Sequence, residues 1–214
     1  MAYRALRRDL TEETQKCHFC PNHLTSLKAY VLEDLEDGRL VFAGPTCARN
    51  HIGPGESLSN LPDLTKFTDT ADERGGTGGG GAGGGAGKDR DDRKFALEYL
   101  LLREHKLADE LRCSYPPLRE YYIQSLSRPL TDTEISHIVN IEAKAPESLR
   151  LVALQRCYNY LFWIDAAIAR LQAGKTDFLL NVRATLIRKR EISPAQKDGV
   201  NGWLKNIAGV PQLK

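Results

Sequence analysis

Cys17, Cys20, Cys47 and His51 are metal-ligand residue types at metal-ligand spacing. Thiolates and imidazole are the donors that Zn2+ takes at tetrahedral corners. Cys17-His18-Phe19-Cys20 puts two sulfurs on one tight turn, which Pro21 and Asn22 close. Cys47 and His51 are four residues apart, so on a helix they share a face and can reach one ion. Four protein ligands describe a closed, structural Zn2+ site. A catalytic zinc keeps one position open and usually has a Glu beside it. His18 and His23 lie near the first cysteine pair and stand as alternatives to His51 for the fourth position. Two other readings use the same residues. The cysteines could be ordinary buried thiols among surface histidines, or one thiol and one imidazole could form a nucleophile–base pair. Three of the five cysteines and three of the five histidines fall within residues 17–51, and that concentration favours metal.

The elements that must position these ligands are legible between them. Residues 29–32 and 39–42 read as two short strands, with Asp37-Gly38 between them as a hairpin signal. Gly44-Pro45 stops the second strand, and Thr46 is expected to cap the helix that carries Cys47 and His51. Knuckle, hairpin and ligand-bearing helix follow one another as in a treble-clef zinc finger, and residues 17–51 resemble that family. The turn Phe42-Ala43-Gly44-Pro45-Thr46-Cys47 is also similar to one in small zinc modules of uncharacterised phage and plasmid proteins. The resemblance implies one structural zinc and a mobile-element setting, and it brings no catalytic residue.

Beyond the finger the chain is punctuated once. Residues 75–87 hold ten glycines, two alanines and a threonine, followed by the charged run Lys88 to Lys94. Such a tract buries too little apolar surface to offset its ordering entropy, so a flexible tether spanning roughly 20 Å is expected. A single Arg-Gly-Gly begins at Arg74; RGG repeats can bind RNA, but one copy reads as linker. The expected organisation is a zinc module over 1–74, a linker over 75–94 and an all-α domain over 95–214, the two units tumbling semi-independently. The fold class is thus α+β overall. Charge divides along the same line. Residues 1–74 hold nine basic and twelve acidic side chains, net −3, whereas residues 93–214 hold nineteen and thirteen, net +6, within a chain of net +2. Any nucleic-acid contact is therefore better placed on the helical unit.

Five or six helices are expected there. Phe95, Leu100, Leu107 and Leu111 recur at helical spacing to about Arg112, and a second helix runs from Leu118 to Leu126. Thr131 with Glu134 forms a capping box before Ile135 and Ile138. Pro146 is expected to open the longest helix, with Gly174 past its end, and Phe178 to Lys189 make another. Ser193-Pro194-Ala195-Gln196 starts the last, which carries Val200, Trp203, Leu204 and Ile207. Arg183, Arg188, Lys189 and Arg190 gather near one helix C-terminus, either as a phosphate-contacting patch or as cations balancing the helix dipole. Tyr121, Tyr122, Tyr158, Tyr160, Phe162 and Trp163 include candidate base-stacking groups, although helical spacing assigns most of them to the core.

Several functions find no support. No run of about 18 apolar residues is present, so no membrane span is expected. Residues 1–9 are basic without an apolar stretch behind them and do not read as a secretory signal. Isolated Cys113 and Cys157 suit a reducing cytoplasm, where a nucleoid-associated protein would also lie. The glycine tract ends in Gly87-Lys88-Asp89 and is not a P-loop, and neither His-Glu-x-x-His nor Gly-x-Ser-x-Gly occurs. An enzyme is not expected, with a zinc- or thiol-dependent nuclease or hydrolase as a remote alternative. The expectation is a zinc-binding accessory protein that binds nucleic acid, by analogy with zinc modules. The alternative is an adaptor that docks a protein partner. With so small a core in the finger, metal removal is expected to unfold residues 15–55 and leave the helices folded.

Overall fold

The computed structural model describes residues 3–53, 56–67, 91–172 and 175–214. The glycine tract, Arg74 and Gly174 lie outside the described residues. Three antiparallel strands form a sheet in the order β1 (Tyr3–Leu10), β2 (Lys28–Asp34), β3 (Leu40–Ala43). The β2–β3 hairpin forms where Asp37-Gly38 placed it, with Gly38 at φ +73°, a left-handed conformation in which a Cβ would be strained. Helix α1 (Pro45–His51) follows β3 directly. It starts two residues earlier than expected. Gly44 is the N-cap, and Pro45 occupies the first helical residue, where its fixed φ and missing N–H are harmless.

Strand β1 was not anticipated. Its side-chain alternation is broken because the register skips Leu6 between Ala5 and Arg7, so the two halves of the strand have different phase. Its three arginines further dilute the apolar period. Tyr3 and Ala5 nonetheless join Leu32, Val41, Ala43, Ala48 and Cys17 in a small core beneath the sheet.

The helical part comprises α2 (Asp92–Leu100), α3 (Ala108–Leu111), α4 (Pro116–Ser127), α5 (Asp132–Lys144), α6 (Leu151–Ile168), α7 (Asp177–Lys189) and α8 (Pro194–Leu204). Among the described residues this is seven α-helices rather than five or six. The segment expected as one helix to Arg112 is divided by a wide π-type turn over Leu101–Lys106, closed by Leu107 N–H donating to Leu102 O at 2.9 Å. Asp92 to Lys94, expected in the linker, form the first turn of α2, capped by Asp91. Pro146 heads a short 3-10 turn, and the central helix starts only at Leu151, with Leu154, Leu161, Trp163 and Ile164 buried. Both expected capping boxes, Thr131 with Glu134 and Ser193 with Gln196, are present.

The strand part and the helical part pack against one another. Leu10, Leu27 and Leu64 belong to the same core as the helices. Asp9, 2% exposed, is the polar centre of the junction. Its carboxylate accepts from Tyr158 Oη of α6 at 2.8 Å and pairs with Lys106 Nζ at 2.7 Å and Arg7 Nε at 2.8 Å. Glu98 on α2 is a second centre, accepting from Asp63 N, Lys66 Nζ and Gln155 Nε2, each at 2.9 Å. Asn159 Nδ2 donates to Leu64 O at 2.8 Å.

Burial works to raise the Asp9 pKa, but Lys106 and Arg7 outweigh it and hold the carboxyl below the ordinary value of 3.8. A depressed carboxylate contributes stability above its unfolded pKa, and that contribution is lost as pH falls through the folded value. We therefore expect Asp9→Asn to cost about 3 kcal/mol at neutral pH, because it leaves two half-buried cations without a counter-charge. Tyr158→Phe should cost about 1 kcal/mol. In urea denaturation the gap between wild type and Asp9→Asn should narrow below about pH 4; a gap constant to lower pH would contradict the role given to Asp9.

Candidate metal centre

The three cysteines come from two local structures, a knuckle and the start of α1, that the backbone locks together. Lys16 and His23 pair as an isolated antiparallel bridge, and Cys17 N donates to Asn22 O at 3.0 Å, closing the knuckle that carries Cys17 and Cys20. His18 N donates to Phe42 O at 2.9 Å and fastens the knuckle to β3. Cys47 lies in the first turn of α1, which β3 feeds directly. The result brings Cys17, Cys20 and Cys47 together, with their sulfurs all within 4.8 Å of one another. A zinc–sulfur bond is about 2.3 Å, which sets the sulfurs round a tetrahedral ion roughly 3.8 Å apart, so the three thiols are near enough for one ion to draw together. All five cysteines of the chain are free thiols.

The electrostatics of the cluster are those of a cation site. Burial acts to raise the Cys17 pKa, but the backbone N–H groups of Gly44 and Phe19, together with the Cys20 and Cys47 thiols, hold it below the usual thiol value. Cys47 is pushed up to about 11, first by its hydrogen bonds to Cys17 and Cys20 and then by burial and their charge. The first thiolate thus makes the last one costly, and a bound cation reverses that cost. Cys113 and Cys157 have the opposite character: burial raises both, Cys157 to about 12, as expected of inert core thiols.

His51 does not join the sulfurs. Its ring stacks on Phe19 with centroids 4.0 Å apart and planes within 6°. His18 Nε2 is 3.1 Å from Tyr3 Oη, and the His18 ring meets Phe19 edge-on. His23 is exposed and pairs with Lys16 across the knuckle bridge. Among the described residues the metal-competent group is three thiols, with an aromatic layer of Tyr3, His18, Phe19 and His51 beside it.

The four cations singled out on α7 do not form one free patch. Arg183 Nε contacts Asp165 Oδ1 at 2.5 Å, and its Nη2 also pairs with Glu110. Arg190, at φ +62°, ends α7 and donates from Nη2 to Leu111 O at 3.4 Å. Arg188 and Lys189 are exposed. Arg112, which sequence reasoning passed over, is exposed at the same corner: it follows Leu111 and ends α3 with φ +47°. Of the aromatic candidates, Tyr122, Tyr158, Tyr160 and Trp163 are core, while Tyr121 Oη bonds His137 Nδ1 at 2.8 Å. No described helix is long and apolar enough to cross a membrane.

Comparison with known protein families, with curated proteins and with solved structures finds no match for this chain.

One metal ion per chain is expected when the protein is purified without chelator, read by native mass spectrometry. Cys47→Ser should lower metal affinity about 100-fold or more and leave the α6 core intact. Full metal occupancy in that variant would remove Cys47 from the site. Zinc binding should also weaken as pH falls, because protons compete for the thiolates.

Proposed function

We propose that this chain is a zinc protein whose metal site is structural, and that it serves as an accessory factor that binds nucleic acid. The observation that carries the zinc reading is the three-sulfur cluster, a soft donor set at ion-sharing distance. His51 is the proposed fourth ligand, being one helical turn from Cys47 on α1. When bound, the ion supplies charge neutralisation and a cross-link among knuckle, β3 and α1; it activates no substrate in this reading. The residues themselves do the positioning: Phe42 holds His18 N–H, and the Gly44 and Phe19 amides face the Cys17 sulfur.

Support for nucleic acid comes from the basic surplus of the helical part and from Arg112, Arg188 and Lys189, exposed where α3 and α7 both end. Cations at helix C-termini also compensate the dipole, so their presence alone does not identify a ligand. Protein docking is the second reading. It is favoured by Leu35 and Leu40, 56% and 49% exposed on the β2–β3 hairpin.

Fluorescence anisotropy with labelled single-stranded and duplex oligonucleotides separates the two. Nucleic-acid binding should fall with salt, and replacing Arg112, Arg188 and Lys189 by Gln should reduce the log–log salt slope by about 2 to 3. Arg183→Gln should lower stability and leave the slope alone, because Asp165 and Glu110 already neutralise it. Absent or salt-independent binding would contradict the nucleic-acid reading.

A further inference from the structure

The two edges of the sheet are finished differently. On the outer edge of β1, Arg8 N donates to Pro62 O at 2.8 Å, Leu64 N donates to Arg8 O at 3.0 Å, and Tyr3 bridges to Ile52. The outer edge of β3 lacks such a cover. Asp34 N donates to Arg39 O at 2.9 Å, so the next bonded pair of the ladder is Leu32 with Val41. Leu40 and Phe42 sit at the alternate, non-bonded positions and direct their N–H and C=O groups away from β2. Phe42 O accepts from His18 N at 2.9 Å. Leu40 N–H, Leu40 C=O and Phe42 N–H have no hydrogen-bond partner among the described residues.

A groove of about 450 Å3 lies along this edge, with Lys16 to His18 of the knuckle on one side and Arg39 to Phe42 on the other. No carboxylate residue lines it. Leu40 stands half out of the protein at its rim. Its register partner Glu33 is held by Arg4 Nε at 3.0 Å and does not reach for a ligand. Arg39 already faces Asp37 at 3.5 Å, so the unpaired charge at the groove is that of Lys16, which is exposed and has no ion pair among the described residues. An uncovered strand edge is a template for another strand. A second copy of this chain would bring a second Lys16 and Arg39 to the same place, whereas an acidic segment brings the opposite charge. We propose that the β3 edge takes an extended peptide segment of a protein partner as a fourth strand, with an apolar side chain against Leu40 and a carboxylate facing Lys16. The inference is independent of the nucleic-acid reading, whose cations lie where α3 and α7 end.

The test is an amide NMR titration of the metal-loaded full chain with a capped peptide of about six residues, alternating Val and Glu. The peptide should shift the Leu40 and Phe42 amides saturably and slow their exchange with solvent, because each gains an acceptor. The same peptide N-methylated at every residue, which cannot approach as a strand, should leave both amides unmoved. A Val–Lys peptide of equal length should bind about fivefold more weakly or worse, and Lys16→Gln should narrow that difference. No shift at Leu40 and Phe42, an equal shift with the N-methylated peptide, or equal binding of the Val–Lys peptide overturns the proposal. Displacement of the peptide by a single-stranded oligonucleotide assigns the groove to nucleic acid and also overturns it. Shifts at the same amides on concentrating the protein alone assign the edge to a second copy, with the same consequence. The wild-type titrations decide this without the variant, and nucleic-acid binding at the α3–α7 corner is read at other amides, so either reading can fail alone.

Discussion

Three thiols held within 4.8 Å of one another are the constraint around which the N-terminal half is arranged. Left alone, such a cluster opposes its own ionisation: the Cys17 thiolate is favoured and the Cys47 thiol correspondingly resists losing its proton. A divalent ion held there would turn that repulsion into attraction and tie a knuckle, a hairpin and a helix start into one unit. The core around it is too small to do this unaided. Its buried members are Tyr3, Ala5, Cys17, Leu32, Val41, Ala43 and Ala48, of which few are large.

The strand part of the chain meets the helices at a polar junction. Asp9 and Glu98 are buried carboxylates that each gather donors from both halves, and Leu10, Leu27 and Leu64 extend the helical core under the sheet. Breaking either centre would leave charges without partners in a poorly solvated place, so the junction is specific as well as apolar. The π-type turn contributes to the same end. It carries Lys106 to Asp9, while its buried Glu104 accepts from Ser114 Oγ and Tyr115 N and so fixes the start of α4. The strand part and the helical part are thereby joined by one packed junction.

What the sequence made legible was what local chemistry decides. The Cys-x2-Cys turn, the Asp-Gly hairpin and the two capping boxes each depend on a few neighbouring residues, and each is present. What it hid depends on distant partners or on broken period. The skip at Leu6 masked β1, and the turn at Leu101–Lys106 keeps an apolar rhythm close enough to α-helical to read as one helix. The charged run before Phe95 read as linker, although Asp91 is a helix cap. At the site, spacing on α1 pointed to His51, whose imidazole stacks on the Phe19 ring, 32 residues back in sequence, while the group found together is the three thiols. The basic cluster on α7 was visible as charge, but the acids that neutralise Arg183 come from α6 and α3.

The most direct test of the account is X-ray absorption at the zinc K edge on protein purified without chelator. The account predicts a four-coordinate ion with three sulfurs at about 2.3 Å and one light nitrogen or oxygen neighbour at about 2.0 Å. A metal with no sulfur shell, or protein that holds no zinc while its three cysteines remain reduced, would contradict it.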